Sequence, residues 1–214
     1  MGSFVIEVSA PGGCHNGRDD MATISVFQSV TLDGVMQGVG RPDEDTRGGF
    51  EHGGWAAGYG DEVSMQFAAE GMSQEGALLF GHRTYTDLLG FWTSMTEPNP
   101  FATVLVERTK YVASRSSDAK LEHANSTLLA GDAAATVAKL RETSELDLTI
   151  MGSGELIRSL HAAGLIDRYT LLIHPIVLGS GTRLFGEGAR VDLELERSIP
   201  TTTGVMIASY LVRH

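Results

Sequence analysis

The run Leu146-Asp147-Leu148-Thr149-Ile150-Met151-Gly152-Ser153-Gly154-Glu155-Leu156 restricts the fold more than any other stretch of this chain. A short apolar run ending in a glycine turn, followed by Ile157-Arg158-Ser159-Leu160-His161-Ala162-Ala163, reads as a buried strand feeding directly into an amphipathic helix. Such units build sheets flanked by helices. Two further places repeat the theme. Leu78-Leu79-Phe80-Gly81-His82-Arg83-Thr84-Tyr85 is a second strand-to-helix junction, and Val112-Ala113-Ser114-Arg115-Ser116 ends a strand in small polar residues beside an arginine. A glycine turn that opens a helix lets a phosphate approach the backbone, where free N–H groups and the positive dipole end hold it. One Gly-x-Gly is equally what a plain strand-to-helix turn looks like. Three such sites in one small α/β chain point to a nucleotide cofactor.

The 214 residues, 42% hydrophobic and 20% charged, suit one domain with a full core. The net charge of −11 argues against nonspecific binding to nucleic acid or an anionic membrane, and leaves a small molecule as the expected partner. An anionic cofactor remains compatible, because a few local cations and helix N-termini can hold it. Cys14 is the single cysteine, so no intrachain disulfide can form and a reducing, cytoplasmic setting is expected. No apolar run approaches the roughly 20 residues of a membrane span, and no signal-peptide pattern opens the chain. The adjacent pair Cys14-His15 makes no metal site, and none is expected elsewhere.

Residues 1–20 are polar and rich in turn formers, and read as a flexible extension, vector-derived or an over-long start, ahead of one domain over 21–214. The pattern predicts strands over 22–30, 77–80, 110–113, 126–130 and 147–151. It predicts helices over 61–70, 84–89 and 100–107, one from the N-cap Asp132 to about Thr143, and one from Glu155 to Ala163 ended by Gly164. Residues 37–60 form a long Gly-rich loop holding Trp55 and Tyr59. From Arg168 onward the chain reads as strands only, over 168–177, 192–200 and 205–212. The expected fold class is α/β: a mixed, mostly parallel sheet flanked by helices, with an antiparallel C-terminal β portion.

Five motifs follow one another in order: Ser29-Val30-Thr31-Leu32-Asp33-Gly34, Phe80-Gly81-His82-Arg83-Thr84-Tyr85, Ala113-Ser114-Arg115, Met151-Gly152-Ser153-Gly154-Glu155-Leu156, and His174-Pro175-Ile176-Val177-Leu178-Gly179-Ser180-Gly181-Thr182-Arg183-Leu184-Phe185. Together, over about Thr23 to His214, they resemble the dihydrofolate-reductase-like superfamily, and within it the C-terminal reductase domain of the bifunctional riboflavin-biosynthesis deaminase/reductase. The resemblance implies NADPH binding and hydride transfer, with Gly81, His82, Arg83 and Thr84 at the phosphates and Ser114 and Arg115 at the adenosine 2′-phosphate. It also implies Gly152, Ser153 and Gly154 under the pyrophosphate, with Glu155 and Leu156 opening the helix, and Asp33-Gly34 on the nicotinamide side. The family carries an arginine where this chain has His82, which leaves the choice between NADPH and NADH open. It also implies a homodimer. The single cysteine provides no zinc-binding Cys pair, so the resemblance is to the reductase half alone.

A reductase of a C=N or C=O group also needs a proton. Asp33 and Asp61 are the acids named for that role, beside Glu62 and Glu70. Asp33 as a turn former and Asp61 or Glu62 as charges at a helix N-terminus are the competing readings. Arg183 is a candidate for a substrate phosphate, or a solvated surface side chain. Trp55 and Tyr59 are candidates to stack on a flat heterocycle, or plugs in the core. His174, inside an apolar run, reads as structural. The expected activity is NADPH-dependent reduction of a pyrimidine- or pterin-like ring; dihydrofolate reductase and a non-catalytic nucleotide binder are the alternatives.

Overall fold

The computed structural model describes residues 21–97 and 99–213. The flexible extension expected over residues 1–20 lies outside the described residues. The elements follow in chain order as β1 Ile24–Thr31, α1 Glu62–Ser73, β2 Ala77–Gly81, α2 His82–Thr93, α3 Pro100–Glu107, β3 Lys110–Ser114 and β4 Ser126–Ala130. They continue as α4 Ala133–Thr143, β5 Leu148–Met151, α5 Gly154–Ala162, β6 Arg168–His174, β7 Asp192–Pro200 and β8 Met206–Arg213. The strands form one 8-stranded sheet in the order β4-β3-β2-β5-β1-β6-β8-β7. β4 through β6 run parallel, and β8 and β7 join antiparallel. This is the mixed, mostly parallel sheet with an antiparallel finish that the sequence predicts.

Alternation assigns the two faces. Leu78, Phe80 and Val112 point to one side, where Tyr85 and Leu89 of α2 and Leu105 of α3 cover them. Phe27 points to the same side and stacks on Phe67 of α1 at 6.5 Å. Ile24, Val26, Leu79 and Ile150 point to the other side, under Val137 of α4 and Leu156, Ile157 and Leu160 of α5. α2, α4 and α5 each follow a strand across a short connection, so their N-termini gather at the C-terminal edge of the parallel strands, where ligands bind in open α/β sheets.

Several boundaries move from the sequence reading. α2 begins at His82, two residues before the predicted start, and reaches Thr93, because Gly81 itself serves as its N-cap. β6 stops at His174, since Pro175 has no N–H to continue the ladder. Residues 47–49 form a 3₁₀ turn inside the long loop. Tyr169 and Leu171 of β6 are buried by the chain itself; Leu195 on the edge strand β7 remains 54% exposed. No helix among the described residues is long and apolar enough to cross a membrane.

Candidate functional site

At the C-terminal edge of the sheet a cleft opens in two adjoining chambers. The outer one, about 300 Å³, lies against the N-termini of α2, α5 and α4. The inner one, about 130 Å³, runs between the Gly152-Ser153-Gly154 turn and the loop that follows β1. Arg47, Arg83, Thr84, Ser153, Gly154 and Glu155 border both.

The turn after β5 is built for close approach. Gly152 and Ser153 both adopt left-handed backbone, φ 69° and 71°. Glycine does so freely; a serine held there is strained. The strain is stabilised locally, because Ser153 Oγ accepts the Gly81 N–H at 2.8 Å and so ties the two strand-to-helix turns together. That bond also removes the Ser153 side chain from capping α5, and Gly81 has no side chain to cap α2. The first N–H groups of both helices therefore lack intrahelical and side-chain partners. Gly154 is required for a second reason: a Cβ there would lie 2.8 Å from the Met36 thioether.

Charge is arranged to match. The guanidinium groups of Arg83 and Arg115 make no hydrogen bond or ion pair with the described residues. In a chain of net charge −11, two unpaired arginines facing two uncapped helix N-termini make a local anion site. The acids of the inner chamber are committed to partners. Glu44 accepts the N–H groups of Gly40 and Arg41 at 2.6 and 3.1 Å. Asp87 pairs with Arg41 at 2.8 Å. Asp45 accepts Arg47 Nε at 2.8 Å, and that guanidinium holds its carboxyl below the usual range.

The structure brings the expected phosphate residues together. Gly81, His82, Arg83, Thr84, Ser114, Arg115, Ser153, Gly154, Glu155 and Leu156 all line the outer chamber, and Gly152 lines the inner one. His82 also turns outward, with Nε2 3.0 Å from the Lys120 carbonyl and its ring stacked on Tyr85. The remaining four candidates fall elsewhere.

Asp33 lines neither chamber. Its carboxylate accepts Thr31 Oγ1 at 2.6 Å, Gly179 N–H at 2.9 Å and Leu178 N–H at 3.2 Å. The Thr31 hydroxyl first, and then the two backbone N–H groups, draw its pKa down to about 2. These three donors fasten the Asp33 carboxylate within the turn that follows β1.

Asp61 is the N-cap of α1 in a reciprocal capping box with Ser64, and its other oxygen accepts the hydroxyl and N–H of Thr202, each at 2.6 Å. The Thr202 hydroxyl and then the Ser64 N–H hold it far below the usual carboxylate range. Trp55 is 8% exposed, donates Nε1–H to the Gln37 carbonyl at 2.7 Å and packs with Val35 and Phe50. It stands edge-on to His174, so both are core plugs. Arg183 donates to the Asp33 carbonyl at 2.9 Å and fastens that loop. Each of the four is taken up by partners distant in sequence that the local pattern cannot reveal.

The structure adds residues that the motifs did not. Gln37 joins two loops around the inner chamber: its side-chain Oε1 accepts Thr182 N–H and Oγ1, both at 2.9 Å, and its Nε2 donates to the backbone carbonyls of Asp45 and Arg47 within its own loop. Gln28 lies in the wall of that chamber. Its signal was present in the sequence, as a polar residue in the inward register Ile24-Val26-Gln28-Val30.

The family model described as the RibD C-terminal domain matches residues 22–207. This chain belongs to that family. An uncharacterized protein of Bacillus subtilis, YyaP, is 28% identical over 145 residues, covering 65% of this chain and 75% of its own. Among solved structures, the putative riboflavin biosynthesis protein from Shewanella sp. PV-4 superposes with a TM-score of 0.66 at 21% identity, over 90% of this chain and 99% of that one. Dihydrofolate reductase from Enterococcus faecalis, complexed with NADP(H), superposes with a TM-score of 0.59 at 14% identity, over 90% of this chain and 97% of that one. At these identities the likeness is one of fold. The RibD C-terminal domain family and the dihydrofolate-reductase-like fold together bear out the resemblance and make the chain reductase-like in architecture.

Proposed function

We propose that this protein is an NADPH-dependent oxidoreductase that transfers a hydride to a pyrimidine- or pterin-like ring. The observation that carries the reading is the outer chamber, where two uncapped helix N-termini, a turn with left-handed Gly152 and Ser153, and the unpaired Arg83 and Arg115 converge. The N–H groups that open α2 and α5, with Arg83, would hold the pyrophosphate. Ser114 and Arg115, at the far end beside the N-terminus of α4, would hold the 2′-phosphate. Bound there, the nicotinamide supplies the hydride, and the protein positions it. The neighbour of the same fold complexed with NADP(H) supports the choice of cofactor.

Asp33 and Asp61, whose carboxylates accept from Thr31, Leu178 and Gly179 and from Ser64 and Thr202, take the part of positioning residues for the loops around the site in this proposal. The inner chamber, between Gln28, Met36 and Thr182, is the place for the reacting ring. The acids that line it are engaged with Arg47, Arg41 or backbone N–H groups, with Glu155 the most loosely held at 3.8 Å from Arg47. With these acids engaged, water is the proton source of the proposed reaction. The same observation favours a second reading, a nucleotide binder of this fold that does not turn over. A cytoplasmic setting and a dimer through the exposed edge at β7 complete the proposal.

Titration with NADPH, followed by tryptophan quenching or energy transfer, should give a micromolar Kd. Absence of binding at millimolar NADPH would overturn the whole reading. Binding without NADPH oxidation, across pyrimidine and pterin substrates, would leave the nucleotide binder.

A further inference from the structure

Gln28 is an anomaly in β1. It occupies the inward register between Val26 and Val30, is 6% exposed, and lines the inner chamber. Its Nε2 donates to the Ser29 carbonyl at 2.9 Å. Its Oε1 is buried and has no hydrogen-bond partner among the described residues. The amide is not simply turned the wrong way. Reversing it would set Oε1 against the Ser29 carbonyl, two acceptors face to face, so the unfilled position is that of an acceptor. A buried acceptor without a donor is costly, and an aliphatic side chain in this register would carry no such cost. Gln37, the other amide of the chamber, has both ends filled, so Gln28 alone offers unused amide capacity there.

Its position links that capacity to the cleft. β1 and β5 pair through Phe27 and Met151, the last pair before the Gly152-Ser153-Gly154 turn. Gln28 is one residue further on, level with the turn. We infer that Gln28 Oε1 is the acceptor for a planar N–H donor seated in the inner chamber, either a carboxamide N–H or the amine or ring N–H of a diaminopyrimidine-type heterocycle. The inference rests on the reading of the cleft as a cofactor site, and names what the inner end of that site recognises. An N–H group in this position fills the orphaned acceptor and fixes the orientation of the ring that bears it.

The test replaces the acceptor with a side chain of similar length, Gln28→Met, with Gln28→Leu as a second variant. Both should melt at or above the wild type, because an unsatisfied buried acceptor has been removed; a residue that served only the fold would lower the melting point. Calorimetric titration then uses three probes. These are NADPH, its 3-acetylpyridine analogue in which a methyl group replaces the amide NH₂, and 5,6-diaminouracil on protein saturated with NADP⁺. If the cofactor supplies the N–H, the variants bind NADPH about tenfold more weakly and the analogue as the wild type does. If the heterocycle supplies it, NADPH binding is unchanged and the diaminouracil loses about tenfold. Either pattern supports the inference and identifies the source. Unchanged affinity for all three probes overturns it, as does equal weakening of NADPH and the analogue, which would be a packing effect. A wild-type protein that binds no NADPH overturns the cofactor reading itself, a failure distinct from that of Gln28.

Discussion

Replacing Arg115 separates recognition of the 2′-phosphate from recognition of the rest of the cofactor. The Arg115 side chain is exposed at the mouth of the outer chamber and makes no hydrogen bond or ion pair with the described residues. Arg115→Ala therefore removes nothing from the fold, and the melting temperature should stay within a degree or two of wild type. A charge-assisted hydrogen bond contributes about 1.5–3 kcal/mol. Solvent around this guanidinium places the effect at the lower end, and about 1.4 kcal/mol is tenfold in affinity. NADPH should then bind roughly tenfold more weakly, with NADH changed by less than about twofold. Asp132 offers the opposite perturbation. It lines the same end of the chamber while its Oδ1 caps α4 through Ala135 N–H at 2.9 Å. Asp132→Asn keeps a cap and deletes a negative charge, so NADPH should bind roughly two- to fivefold more tightly with NADH unaffected. Calorimetric titration of both cofactors against both variants reads all four affinities. Equal loss of NADPH and NADH in Arg115→Ala would refute the assignment of the 2′-phosphate to this end of the cleft.

Three further outcomes follow from the structure. Arg141 is 8% exposed and grips Asp167 through two bonds of 2.7 and 2.9 Å while donating to the Ala22 carbonyl; Arg141→Leu should cost about 3 kcal/mol, roughly a 6–12 °C fall in melting temperature by calorimetry, and a change under 2 °C would contradict the pairing argument. Burial between Trp55 and Tyr59 pushes the His174 pKa below its ordinary 6.5, so the unfolded chain binds more protons there than the folded one as pH falls. Stability from this group is present above about pH 6.5 and declines below it, and urea titrations from pH 7 to 5 should show a shallower decline for His174→Gln than for wild type. For the proposed dimer, sedimentation at micromolar concentration should give a species twice the 22.9 kDa chain, and a clean monomer would reject it.

What the sequence determined by itself is the local grammar of the fold. The strand, glycine turn and helix around Gly152, the cap at Asp132, and the ordered motifs at Gly81, Ser114 and Gly154 were legible because backbone bonding and side-chain period depend on near neighbours. Once those helices start where the parallel strands end, their N-termini must gather at one edge, and so the cleft at that edge was legible too. The fate of individual polar side chains was not. Asp61 is engaged by Thr202, 141 residues away, Asp33 by Gly179, 146 residues away, and Gln37 by Thr182, 145 residues away. Whether a carboxylate is free to act, or an amide is left with an empty acceptor as at Gln28, depends on which distant loop arrives beside it. That is decided only when the chain closes, because the cost of an unpaired buried group depends on surroundings supplied by tertiary packing.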